Sequence, residues 1–175
     1  LIDLAEQFLG AYEHGRLSFS APIATGDKRN ETPAGEFAIT AAHRHHHSSL
    51  YTIEKTNIPY PMNYALRFHV SKGGVAFWIH GRDIPGYPAS HGCIGLYDEL
   101  MQKTHYGYPR EPILEDARTL YTWVLAPLPE DEKYRILDNG PRILIVGRAP
   151  IPLRRSNQDG VRVRPTPRIA PEAMH

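Results

Sequence analysis

Punctuation constrains this chain more than any other feature, with 16 prolines and 14 glycines among 175 residues. Proline fixes φ and lacks a backbone donor, and glycine favours turns. Long helices are therefore interrupted, and short strands joined by loops are favoured over a helical bundle. The length is that of one domain, enough to bury a core without disulfides or a structural metal. Hydrophobic residues at 41% and charged residues at 22% exclude a disordered or fibrous protein. No apolar run approaches the roughly 18 residues of a membrane span. Twenty basic against 19 acidic residues leave a formal charge of +1, too balanced for a dedicated nucleic-acid binder. A single cysteine excludes an internal disulfide framework and a CxxC site.

Local patterns fill in this frame. Leu1, Leu4, Ala5, Phe8 and Leu9 recur at helical spacing, so residues 1–14 are expected to form an N-terminal amphipathic helix ending near Gly10. Beyond it the period changes. Leu17 and Phe19 alternate with serines, Phe37 to Thr40 is a brief apolar run, and Leu66, Phe68 and Val70 alternate with Arg67 and His69. Val75 to His80 is nearly continuously apolar and reads as a strand buried on both faces. A second helix is expected at Glu115 to Leu125, with Ala117, Leu120, Tyr121 and Val124 on one face and Pro127 closing it. Ile143 to Val146 reads as a closing strand after the turn residues Asn139-Gly140-Pro141. The fold class is therefore mainly β with a few peripheral helices. From 148 to 175 six arginines meet only Asp159 and Glu172, a net charge of 6 − 2 = +4 among several prolines. This tail is expected to be extended, either as an arm along the surface or as a basic segment that attracts anionic polymers.

The chemistry concentrates at Cys93, within Ser90-His91-Gly92-Cys93-Ile94-Gly95-Leu96, with His80-Gly81 ending the strand 13 positions upstream. A thiolate is the nucleophilic form of cysteine, and a neighbouring imidazole can take the thiol proton and return it to a leaving amine. Glycine beside the nucleophile permits a tight turn and brings backbone N–H donors near a substrate carbonyl. A lone cysteine is more commonly a small buried hydrophobe, and this chain has ten histidines. Spacing alone leaves both readings open.

The block IHGRDIPGYPASHGCIGL resembles the signature of the L,D-transpeptidase catalytic domain, the YkuD-like family, which pairs an HG with a downstream SHGC. ATGDKRNETPAGEFAIT resembles the same family's TG followed by TPxGxF, and HSSLY with IPYPMNYALRF resembles its approach to the HG strand. The resemblance covers roughly residues 15–147, with apparent insertions near 97–114 and 126–139. It implies a YkuD-like β-sandwich, Cys93 as nucleophile and His80 as general acid/base, with the Gly81 carbonyl orienting the imidazole. It also implies an oxyanion hole from the N–H groups of His91, Gly92 and Cys93, with His91 shaping the pocket, although two histidines so close to one cysteine are not separable by sequence. Ser90, as a brace of the turn, and His47, Tyr51 and Arg82 are the expected substrate-side residues.

The implied reaction is acyl transfer from a peptidoglycan stem tetrapeptide through a Cys93 thioester, releasing D-alanine. The acceptor is a second stem amine, the lysine of an envelope lipoprotein, or water in an L,D-carboxypeptidase. No cofactor and no metal are implied, and carbapenem-type inhibitors are expected to react. The implied substrate places the protein in the periplasm or cell envelope. A chain opening at Leu1 with no leader in view is expected to be a processed product of an exported precursor.

One departure stands out: the family usually carries arginine two residues after the cysteine, where this chain has Gly95. Arg82, or an arginine from the insertions, is a candidate to replace it; the alternative is a catalytically weakened module that only binds peptidoglycan. The cluster His43, His45, His46 and His47 is expected in a flexible loop over the cleft, with adventitious metal binding as the lesser reading. Tyr60, Met62 and Tyr64 are groove lining or, by default, packing.

Overall fold

The computed structural model describes residues 1–128 and 131–151. Among these residues ten strands form two five-stranded sheets, and two helices pack beside them. The strands are β1 (Ile2–Asp3), β2 (Phe8–Glu13), β3 (Arg16–Pro22), β4 (Gly35–Ala38), β5 (Ala41–Thr52), β6 (Pro59–Val70), β7 (Ala76–Arg82), β8 (Ile94–Tyr97), β9 (Arg135–Ile136) and β10 (Arg142–Val146). The helices are α1 (Glu99–Tyr106) and α2 (Asp116–Leu125). One sheet runs in the order β3-β2-β1-β10-β4, the other β8-β7-β6-β5-β9. Among the described strands, β1 with β10 and β7 with β8 pair in parallel. A shared core of Ile2, Leu9, Ile23, Leu66, Ile79, Ile94, Ile145 and others joins the two sheets, and α2 adds Ala117, Leu120, Tyr121 and Leu125 to it. Strand β7 is buried on both faces because Ile79 enters this core while Trp78 joins a second cluster with Met62 and Ala65.

The N-terminal segment is not a helix. Residues 1–14 hold β1 and β2, joined by a turn in which Asp3 Oδ1 accepts from the Ala5 and Glu6 amides at 2.9 and 3.2 Å and Gln7 takes φ +51°. The buried side chains are Ile2, Leu4, Leu9 and Ala11, while Leu1 and Phe8, which belong to the helical spacing, are 46% and 40% exposed. The apparent 3.6 period came from two short strands folded about a turn, each with its own period of two.

The histidine cluster is also not in a loop, since His43 to His47 lie within β5, opposite Ala65 to Pro61 of β6. The backbone demand of the β6 ladder overrides the polar composition that suggests a loop. Of the two insertion regions, 97–114 contains α1, which sequence reading did not anticipate, and 126–139 contains β9 on the edge beside β5. The 148–175 tail lies outside the described residues from 152 onward.

Candidate active site

Strand alternation sets the frame. The parallel register pairs Ile79 with Ile94 and His80 with Gly95, so both isoleucines enter the core while His80 turns to the opposite face. Trp78 lies on that same face, and Cys93, just before β8, packs against its cluster. The register thus brings the histidine at the end of one strand to the cysteine at the start of its neighbour.

The turn carrying Cys93 is held from both sides. Gly92 adopts φ +108°, and a Cβ there would lie 2.5 Å from Phe77 Cε1, so only glycine fits. The Ser90 hydroxyl donates to the Cys93 carbonyl and accepts from the Gly92 N–H at 3.1 Å, tying the two ends of the turn together. Thr32 Oγ1 donates to the Gly92 carbonyl (2.9 Å) and accepts from the Gly26 N–H (2.9 Å). The Thr25 carbonyl accepts from Ala89 and Ser90, the Asp27 N–H donates to Ser90, and Ala24 exchanges two backbone bonds with Gly95. The TG and TP segments are therefore the scaffold of the SHGC turn. Gly26 is needed because a Cβ would sit 1.9 Å from the Asn30 carbonyl oxygen.

His80 is 5% exposed, and its Nδ1 lies 2.9 Å from the Gly81 carbonyl. A carbonyl only accepts, so Nδ1 carries the proton and Nε2 presents the lone pair. Gly81 is itself packed against Asp98, whose Cβ would be 2.6 Å from any Cβ at that position. The buried Asp98 carboxylate accepts from the Met101 amide, capping α1, and from Asn63 Nδ2. Asp98 and Asn63 were not found from the sequence, although an aspartate just ahead of Glu99-Leu100-Met101 is a helix-start signal.

Electrostatics leave the pair neutral at rest. Burial pushes His80 down to about 3, opposed by its bond to Gly81 and reinforced by the charges of Arg82 and His46. Burial pushes the Cys93 thiol up, against a backbone hydrogen bond from Trp78 and the Arg82 charge.

The other candidates divide. Arg82 is nearly enclosed on the same face. His91 is exposed, and its ring stacks on Tyr51 at 4.2 Å and 22°. His47 is exposed opposite Pro61, whereas His46 lies over Trp78 at 4.3 Å and is pushed down to about 4 by burial and then by His43 and His47. Tyr60 sits edge-on to His80 at 6.4 Å, while Met62 and Tyr64 are packing residues. His43 and His46 approach Nδ1 to Nδ1 at 3.3 Å and His45 meets Glu132 at 3.4 Å. Among the described residues no group of three or more such side chains could hold a metal ion.

Comparison with solved structures gives the same architecture. An L,D-transpeptidase from Stackebrandtia nassauensis aligns with TM-score 0.53 and 22% identity over 85% of this chain and 55% of its own. An L,D-transpeptidase from Mycobacterium tuberculosis H37Rv aligns with TM-score 0.52 and 17% identity over 83% and 56%. LD transpeptidase LdtMt1, in a complex with imipenem, aligns with TM-score 0.53 and 17% identity over 82% and 56%. The chain thus spans little more than half the length of each. No curated protein sequence matches it. The model of the L,D-transpeptidase catalytic domain matches residues 1–162, a span that takes in β1 and β2 as well as both motifs. By that match the chain belongs to the YkuD family of L,D-transpeptidase catalytic domains.

Proposed function

We propose that the chain is a peptidoglycan L,D-transpeptidase of the cell envelope that works through a thioester on Cys93. The observation carrying this reading is the β7–β8 register, which sets His80 beside the Cys93 strand with Nδ1 tied to Gly81 and Nε2 left as the base.

Cys93 Sγ attacks the carbonyl carbon at the diaminopimelate L-centre of a stem tetrapeptide while its proton passes to His80 Nε2. The tetrahedral oxyanion is met by backbone N–H groups of His91 and Cys93, because the Gly92 N–H already donates to Ser90. Collapse breaks the C–N bond, His80 returns the proton to the leaving nitrogen, and D-alanine departs. An amine from a second stem, or from an envelope lipoprotein, then attacks the thioester, loses its proton through His80 and regenerates the thiol. Water in place of the amine gives the L,D-carboxypeptidase outcome. The imipenem complex of a similarly folded L,D-transpeptidase supports the expectation that carbapenems acylate Cys93.

Intact mass after exposure to stem tetrapeptide tests the proposal. The expected result is an acyl adduct with loss of D-alanine, absent in Cys93→Ala. No adduct with either tetrapeptide or a carbapenem would refute the thiol mechanism and favour a binding module. A His80→Ala variant that keeps near-normal turnover while His91→Ala is inactive would move the base to His91.

A further inference from the structure

Gly95 leaves a gap beside His80 that the neighbouring strand fills. A Cβ placed on Gly95 would lie 2.1 Å from Arg82 Cδ and 2.3 Å from Cγ, so the aliphatic stem of Arg82 runs across the glycine. Its side chain is only 13% exposed. The backbone beneath it is fixed by the Tyr97 pairing, by Asp98 N–H donating to the Arg82 carbonyl at 3.3 Å and by Gln102 Nε2 at 3.4 Å. The guanidinium uses Nε on the Asp83 carbonyl at 3.0 Å, and Nη2 meets the Asp83 carboxylate loosely at 3.5 Å. Arg82 alternates with Trp78 and His80 along β7 and so shares their face, and its charge bears on Cys93, His80, Tyr60 and Tyr106.

A guanidinium this enclosed is costly unless it is well paired, and a single 3.5 Å contact to a neighbouring carboxylate is weak pairing. Holding the cation near the thiol and imidazole gives it a use that a structural ion pair on the surface does not require. We infer that Arg82, drawn across Gly95, is the carboxylate anchor of this site, so that the donor is a peptide with a free carboxylate close to the carbonyl that Cys93 attacks. This rests on the thioester reading above and names the chemistry of its donor. Two carboxylates of a stem tetrapeptide fit that description: the C-terminal one of the departing D-alanine, and the side-chain one of diaminopimelate.

The test compares acylation kinetics of the intact chain with three donors: the tetrapeptide, its C-terminal amide, and the form amidated on the diaminopimelate side chain. Wild type is expected to show KM about tenfold or more higher for one of the two amides, and that amide identifies the carboxylate. Arg82→Gln should raise KM for the free acid by a similar factor and should no longer distinguish acid from amide. Arg82→Lys should restore part of the discrimination, because it keeps the charge without the two-pronged geometry. Gly95→Ala should behave like Arg82→Gln, since its methyl displaces the Arg82 stem, and the double variant should be no worse than either single.

Two results overturn the inference. One is Arg82→Gln lowering kcat/KM equally for acid and both amides, the mark of a merely structural residue. The other is Gly95→Ala retaining wild-type acid preference. Absence of acylation in the wild type with every donor would instead refute the thioester reading itself.

Discussion

Acidification should destabilise this fold through His80 in a way that can be measured by difference. The ring is 5% exposed, and burial holds it at about 3 against an ordinary value of 6.5. Between those values the unfolded chain binds a proton that the folded chain refuses. The neutral form therefore contributes stability that is fully present above about 6.5 and is lost as pH falls towards 3, at up to about 1.4 kcal/mol per pH unit. From pH 7 to pH 5 the group costs about 2 kcal/mol on these values. The perturbation is His80→Asn, which keeps a donor for the Gly81 carbonyl and removes the titration. Urea unfolding of both chains at pH 7 and pH 5 gives four free energies. Wild type should lose about 2 kcal/mol more than His80→Asn over this interval, the contributions of His46 and the exposed histidines cancelling to first order. Equal losses would show that the folded protein accepts a proton on His80 near the normal pKa, and the neutral base inferred from its burial would be wrong.

Two further expectations follow from the same geometry. Thr32→Val removes a buried hydroxyl that satisfies both the Gly26 N–H and the Gly92 carbonyl, and should cost about 2 kcal/mol or more in urea unfolding while lowering kcat. A loss below about 0.5 kcal/mol with unchanged kcat would show that the TG segment does not brace the turn. Alkylation of Cys93 by iodoacetamide in the free enzyme should climb with pH beyond 8, because burial raises the thiol, and a plateau reached below pH 7 would indicate a resting thiolate.

How legible the site was depends on the range of the interactions. Cys93, His80 and the Gly81 carbonyl were legible through the family resemblance of the HG and SHGC blocks, each of which lies within one strand or one turn, and strand alternation then fixes the face of His80. Helix α2 was legible for the same reason, its buried Ala117, Leu120 and Tyr121 repeating at the period of the element they occupy. The N-terminal strands were not. Asp3 turns the chain there to pair β1 with β2, and the other partner of β1 is β10, with Ile2 opposite Ile145 at the far end of the described sequence. Likewise, nothing in the polar run His43 to His47 announces a strand, because β5 is specified by the ladder it forms with β6. Gly95 marks the limit most clearly. Its identity shows that a side chain is missing, but only the β7–β8 register shows Arg82 lying where that side chain would begin.

The resting state of the pair bears on how such a thiol survives outside a substrate complex. Both shifts arise first from burial, which disfavours the thiolate and the imidazolium alike, so the neutral pair dominates in the free protein. An ion pair made in that enclosure would forfeit hydration on both partners. The Arg82 charge favours the thiolate but opposes the imidazolium, so it cannot tip the proton transfer by itself. In the proposed thioester reaction the substrate changes the balance, its developing oxyanion met by turn N–H groups and its carbonyl carbon consuming the negative charge on sulfur as it forms. Proton transfer to His80 is then concerted with attack rather than prior to it. On this account Cys93 reacts slowly with small soluble electrophiles at neutral pH and quickly with an acyl donor seated against the turn, and selectivity resides in the turn's geometry rather than in an activated thiolate.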